Sequence, residues 1–275
     1  AVNLRGTEHL IEAMKKHAPD GFVVFVSSYA TFGPCGPGDA VRRPSDPCYP
    51  DDNYGLQKLT SESWFAHSGL RQCSLRLGAV LDMQNLMPAH PCYRPFVVMV
   101  SLEQPEHGVD VRDVARAIAS AAAAQPHGHV LLIGGDDSRK LPARDLRRDM
   151  FGAMGLPLPP ERAFRPNPDQ SRNEGWFYES WMDTTQSEQL LSFQRVTHDA
   201  FMAELRRLKR PQRLLLAPRR PMGARAMSTA SPPLRKKAIT PGLKLWDDIC
   251  NGCDVPANVA RSRSSMPPPP PPFAT

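Results

Sequence analysis

No apolar run in this chain of 275 residues approaches the roughly 18 that a membrane-spanning helix needs, so no membrane span is expected. The opening Ala1-Val2-Asn3-Leu4-Arg5 has no signal-peptide form. Six cysteines stand at 35, 48, 73, 92, 250 and 253, and only Cys250 and Cys253 are closely spaced. A second Cys/His pair at zinc spacing is missing, which argues against a metal site. Free thiols in a reducing, cytoplasmic compartment are the simpler reading. No serine sits in a Gly-x-Ser-x-Gly elbow, which argues against a hydrolase of that kind. The sequence carries no internal repeat. It also lacks a strand followed by a glycine-rich turn and a helix, the arrangement that meets a pyrophosphate. The nearest candidate, Gly33-Pro34-Cys35-Gly36-Pro37-Gly38, is broken by prolines and leads to no helix. Gly134-Gly135 is followed by Asp136-Asp137, which would repel phosphate, and reads as a strand-end turn.

What the chain has is unevenly spread. Hydrophobic content of 41% is slightly low for a compact globule, and of 30 prolines 13 fall in residues 211–275, six of them in the run Pro267 to Pro272. Residues 1–205 carry 20 Lys and Arg against 25 Asp and Glu, whereas residues 206–275 carry 14 against 3. The overall charge of +6 therefore describes the tail, and the body is mildly acidic. A nucleic-acid partner argued from whole-chain charge would be misplaced.

Periodicity organises the body. Leu10, Ile11, Met14 and Ala18 recur at helical spacing, giving a helix over Val2 to His17 that Pro19-Asp20-Gly21 stops. Phe22 to Val26 is an apolar run suited to a parallel strand buried on both faces, and it leads to Ser27-Ser28. A loop over Gly33 to Pro50, a helix over Asn53 to His67 and a strand over Cys73 to Val80 follow. Met83 to Pro105 is irregular. Then come an alanine-rich helix over Val111 to Ala124 that Asp110 caps, a strand over His129 to Ile133, and helices over Ala143 to Met154, Thr184 to Phe193 and Thr197 to Lys209. Helices alternating with short strands predict a parallel α/β sheet with its strand C-termini on one edge, where ligands bind. Ser28 and Gly134 would share that edge. Past about Arg210 the periodicity fades, and residues 206–275 read as a disordered basic tail in which only Leu243 to Ile249 suggests local order.

One constellation carries chemistry. Tyr54 and Lys58 are four apart on a helix and share a face. A tyrosine is a poor base at neutral pH, and a nearby ammonium favours its phenolate. Lys58 is placed one turn away to do this, and an ammonium also donates to a ribose hydroxyl. Ser28 would hold a substrate oxygen while a nicotinamide moves a hydride. His107, in a loop before a helix, reads as a hydrogen-bonding structural residue. Trp176, Phe177, Tyr178 and Trp181 either line a pocket or pack a small C-terminal subdomain, the plainer reading. Asp183, Thr184, Thr185 and Glu188 read as a helix start.

In this order the segments resemble the extended short-chain dehydrogenase/reductase superfamily, the NAD-dependent epimerase/dehydratase family. Val2-Asn3 with Gly6-Thr7 is similar to its V-N-x-x-G-T helix. Ser27 to Gly33 is similar to its Ser-Ser…Tyr-Gly segment, with Phe32 at the usual tyrosine. Tyr54 to Lys58 matches its catalytic pair. Leu75-Arg76-Leu77, His107 to Ala115 and Val130 to Gly135 match later segments. The match spans residues 1 to about 205. It implies a partial doubly wound, Rossmann-like parallel sheet with a small C-terminal substrate subdomain, with substrate-side elements within about 80–110 and 155–205. It also implies NAD or NADP as cofactor, a carbonyl or alcohol substrate, with a sugar-like one and another kind both left open, and catalytic roles for Ser28, Tyr54 and Lys58. Asn3, Ser27, Leu77 and Gly78, with Tyr54 and Lys58, take the family's cofactor-side positions. Ala79 departs from the asparagine of many sugar-nucleotide members, which weakens the case for a standard nucleotide-sugar epimerase. Self-association as a homodimer is left open.

By the same resemblance Ala1 falls after the family's first four or so strands. The expectation is a chain lacking half of the cofactor domain, with β-edge exposure at Phe22 to Val26 and weak or absent NAD binding. The alternative function is a catalytically inactive remnant with an interaction tail. In that tail Arg206 to Arg210, Arg219-Arg220 and Arg235 to Lys237 offer cations and the proline run offers a polyproline II ligand.

Overall fold

The structure, a computed structural model, describes residues 2–37, 41–83, 98, 100–169, 173 and 175–211. Gly38, Cys92, Cys250, Cys253, most of the irregular stretch after Met83 and the tail beyond residue 211, with its proline run and its Arg/Lys clusters, lie outside the described residues. The first half runs α1 (Val2–His17), β1 (Phe22–Ser28), β2 (Val41–Arg42), α2 (Asn53–His67), β3 (Arg71–Leu77), β4 (Ala79–Leu81) and β5 (Pro105–Asp110). The second half runs α3 (Val111–Ala124), β6 (Val130–Ile133), β7 (Lys140–Pro142), α4 (Ala143–Met154), β8 (Trp181–Met182), α5 (Thr185–Leu191) and α6 (His198–Leu208). The last of these runs into the stretch read from sequence as tail.

The site is carried by a parallel sheet in the order β1-β3-β6. Its register sets Ser28 beside Leu77 and Leu77 beside Ile133, so the three C-termini form one row. Alternate residues of β1 go to opposite faces. Phe22 and Val24 join Leu75, Leu131, Ile133 and the α3 residues Val114, Ala117 and Ala121. Val23 and Phe25 join Ile11 of α1 and Phe65 of α2. Each fully buried leucine or isoleucine here contributes about 1.5–3 kcal/mol relative to exposure.

The structure corrects four expectations. Phe22 to Val26 is half-buried rather than enclosed, because β3 alone flanks β1 among the described residues although helices cover both faces. The run Cys73 to Val80 is two strands. β3 ends at Leu77, and after Gly78 the chain moves into a second sheet, β4-β5-β7. Gly78 is the pivot, since a Cβ there would stand 2.6 Å from His107 O and 2.7 Å from Met182 Cε. Pro105–Asp110 is a strand buried at every position, and His107 lies in it rather than in a loop. Finally, two short parallel strands, β2 and β8, tie the loop after β1 to the C-terminal segment.

Other local signals act as their chemistry dictates. Asp52 caps α2 through Gly55 N at 2.6 Å, and Asp110 caps α3 through Arg112 N at 2.8 Å. Gly155, at φ 76°, terminates α4 in the left-handed conformation that glycine tolerates. Asp183 accepts from Thr185 N at the start of α5. Among the described residues no helix is long and apolar enough to cross a membrane.

Candidate active site

β1 delivers Ser28 to the carboxyl edge, half-buried, and the chain turns at once into a 3-10 helix over Tyr29–Phe32. The Ser28 hydroxyl oxygen accepts from Ala30 N at 3.2 Å, which leaves its own proton to donate. The first turn of α2 rests on this same 3-10 helix. A Cβ on Gly55 would stand 2.4 Å from Ala30 O, so only glycine permits that approach. Tyr54, the preceding residue, is 40% exposed, which keeps its phenol open to a ligand.

Lys58 follows one turn later. Its ammonium donates to Val26 O of β1 at 2.8 Å and lies 5.8 Å from the Tyr54 ring centroid and 5.2 Å from that of Phe25. The amine is thus held against the strand that carries Ser28, within cation–π range of both rings. Burial lowers its pKa, and the negative charge of Glu62 only partly offsets this.

The residues assigned to the cofactor side divide into two groups. Leu77 and Gly78 continue the row at the carboxyl edge, with Gly78 N donating to Ile133 O at 3.0 Å. Asn3 lies on α1, and its amide donates to Gln57 Oε1 at 2.8 Å, beside Lys58 in sequence. Thr7 meets Ser61 at 3.2 Å one turn on, and Ile11 packs with Phe65 beyond that. Paired positions four apart on both helices show that α1 runs alongside α2 in register. Ser27 instead goes to the other face of β1 from Ser28. It is 2% exposed and its hydroxyl donates to Glu62.

Sequence reasoning missed what lies under this edge. Arg76 makes a two-pronged pair with Glu62, Nη2 to Oε2 at 2.7 Å and Nε to Oε1 at 3.0 Å, with both side chains below 8% exposure. Burial would lower the Arg76 pKa, but the hydrogen bonds and charge of Glu62 outweigh it and raise it. The guanidinium also covers the Phe32 ring at 4.6 Å. The signal was present, because Glu62 is eight residues past Tyr54 on the same helix and Arg76 lies between Leu75 and Leu77 in a buried strand, where an unpaired charge is not tolerated.

His107 proves to be a structural crosslink. Its Nε2 donates to Gly135 O at 2.8 Å and its Nδ1 accepts from Met182 N at 3.1 Å, which fixes a neutral tautomer. Burial pushes its pKa down to about 4. Trp176, 1% exposed, packs on Gly36 and donates to Asp169 O, so it is a packing residue. Among the described residues no group of three or more His, Cys, Asp or Glu is placed to hold a metal ion.

The helix-flanked parallel sheet β1-β3-β6 is Rossmann-like in form. Residues 1–134, which carry all three side chains, match the NAD dependent epimerase/dehydratase family. No curated protein sequence matches the chain significantly. Solved structures do. A short-chain dehydrogenase/reductase superfamily protein from Agrobacterium tumefaciens with bound NAD aligns at TM-score 0.61 and 20% identity, over 80% of this chain and 75% of that one. MoeE5 in complex with UDP-glucose and NAD aligns at TM-score 0.58 and 21% identity, over 76% and 71%. A Pseudomonas aeruginosa protein, RMD, complexed with NADPH, aligns at TM-score 0.57 and 16% identity, over 77% and 73%. At these identities the likeness is one of fold.

Proposed function

We propose that the chain is an NAD(P)-dependent oxidoreductase of the epimerase/dehydratase type, acting at a carbonyl or alcohol carbon of a sugar-like substrate. The observation that carries this reading is that the side chains of Ser28 and Lys58, and the helical turn that bears Tyr54, all meet one stretch of backbone. Ser28 is bonded to Ala30, Gly55 abuts Ala30, and Lys58 is bonded to Val26.

The donor set fits the nicotinamide end of the cofactor. Val26 takes one of the three N–H groups of Lys58, which leaves others for ribose hydroxyls. Asn3, Leu77 and Gly78 are the remaining candidates at that end. Among the described residues no glycine-rich turn opens a helix, so they provide no comparable cradle for the pyrophosphate. When bound, the nicotinamide supplies the hydride acceptor or donor. Ser28 donates its proton in a hydrogen bond to the substrate oxygen and so orients it. Tyr54 takes the proton from that oxygen as an alcohol is oxidised and returns it as a carbonyl is reduced. Lys58 supplies positive charge 5.8 Å from the Tyr54 ring centroid.

The test is conversion of a panel of nucleotide-linked hexoses in the presence of NAD(P), followed as product sugar by chromatography, because an epimerase or dehydratase returns the hydride it takes. Tyr54→Phe, which keeps the ring and removes the hydroxyl, is expected to slow the rate by about 10²–10⁴-fold while leaving cofactor affinity unchanged. Equal rates in the two proteins would refute the role of Tyr54. The competing reading is an inactive remnant of such an enzyme. It predicts no saturable cofactor binding by the wild-type chain.

A further inference from the structure

The loop after Ser28 is fastened by one side chain that has no place in the proton-transfer scheme. Gln104 is fully buried, just before β5. Its amide nitrogen donates to Cys35 O at 2.9 Å, to Phe177 O at 3.4 Å and to Glu179 O. Its amide oxygen accepts from Phe177 N at 2.8 Å. One amide thus bridges the loop at 33–37 and the strap at 176–182. Around it the two segments are zipped directly. Cys35 N donates to Phe177 O at 3.1 Å, Gly36 packs on Trp176, and Val41 pairs with Trp181. The loop follows the 3-10 helix Tyr29–Phe32 that leaves the end of β1 at Ser28, at the edge where the candidate site opens.

We infer that Gln104 is a positioning residue: it clamps the loop behind Ser28 to the strap 176–182 and so builds the substrate-side wall of the site. A glutamate has the same shape but no amide donor. In the Gln104→Glu variant an acceptor faces three carbonyl oxygens, and the clamp opens. Gln104→Met removes the same hydrogen bonds without adding charge. In either variant the wall loosens locally while the β1-β3-β6 sheet stays folded.

Cys35 reports this without any substrate. It is a fully buried thiol in the clamped loop, in no disulfide, with its Sγ donating to Gly36 O at 3.7 Å. Cys73, equally buried but in the sheet core, is the internal reference. The two variants are treated with N-ethylmaleimide under native conditions, and peptides are quantified by mass spectrometry. Loss of at least one net hydrogen bond of local opening energy predicts labelling of Cys35 faster by about tenfold, with Cys73 unchanged. Unchanged Cys35 labelling overturns the inference, as does a parallel rise at Cys73, which signals global unfolding. A second readout rests on the hydride-transfer reading. KM for the sugar-like substrate should rise about tenfold with NADH affinity unchanged. A drop in kcat with KM unaltered counts against a wall role. If the labelling result holds and no variant or wild-type protein turns over, hydride transfer fails and the clamp stands.

Discussion

Replacing Gly55 by alanine separates helix propensity from site geometry. An alanine in a helix interior is normally about 1 kcal/mol more stable than glycine. At Gly55 the new methyl would lie 2.4 Å from Ala30 O. Carbon–oxygen contacts relax to about 3.3–3.6 Å, so the first turn of α2 must retreat by about 1 Å. That turn carries Tyr54, and the surface it retreats from is the 3-10 helix bonded to Ser28. Overpacking of this kind costs about 1–3 kcal/mol. Gly6→Ala is the matched control, since it lies in α1, exposed, with nothing within 4 Å of its added Cβ. Both variants gain the propensity term, so urea denaturation should show Gly55→Ala less stable than Gly6→Ala by about 1–3 kcal/mol. A displacement of 1 Å between Tyr54 and Ser28 should also lower kcat by about 10²-fold. Equal stabilisation of the two variants, with kcat preserved, would refute the close approach of α2 to the turn after Ser28.

Two further outcomes test the groups beneath the edge. Glu62→Gln leaves the Arg76 guanidinium buried without its carboxylate, which should cost about 3–5 kcal/mol in chemical denaturation. The double change Glu62→Leu with Arg76→Met should cost less than that single one, and a greater loss would contradict the buried-pair argument. His107 takes up a proton near pH 6.5 when unfolded but only near 4 when folded. The unfolded state therefore binds the extra proton in that window, and stability falls as pH drops from about 6.5 to about 4, by roughly 3 kcal/mol in total. Between pH 7 and pH 4.5 His107→Gln should lose less stability than wild type, and an identical loss would remove His107 from the acid response.

The elements legible in the sequence were those whose local chemistry agrees with their packing. For α2, the expected helix over Asn53 to His67 is the one found. α3 likewise follows from Asp110 and its alanine face. The strand Pro105–Asp110 was illegible because it begins with proline and contains Glu106, His107 and Asp110. Such residues sit in a buried strand only because distant groups satisfy them. Arg147 meets Glu106 at 2.5 Å, Gly135 and Met182 bracket His107, and Arg112 holds Asp110. Apart from Arg112, two residues from Asp110, those partners lie 28 to 75 residues away, beyond any window of periodicity. The split at Gly78 was hidden for a similar reason, since a glycine in an apolar run reveals its pivot only when Met182 and the His107 carbonyl close on it. At the site, the Tyr54–Lys58 spacing and the strand ending in Ser28 were readable from the chain. The hydrogen bond from Lys58 to Val26 and the clamp at Gln104 were not, because each joins a side chain to a backbone carbonyl whose position only the tertiary fold supplies.

The most direct experiment asks whether Lys58 holds the nicotinamide half of the cofactor. Reduced nicotinamide mononucleotide, which carries that half alone, and NADH are titrated against the full chain and against Lys58→Met, with binding followed by ligand-observed NMR. Saturable binding of the mononucleotide to wild type, weakened by about tenfold or more in Lys58→Met as a charge-assisted hydrogen bond is lost, is the predicted result. Failure of both ligands to bind wild type, or identical affinities in the two proteins, would contradict the assignment of this edge to a nicotinamide.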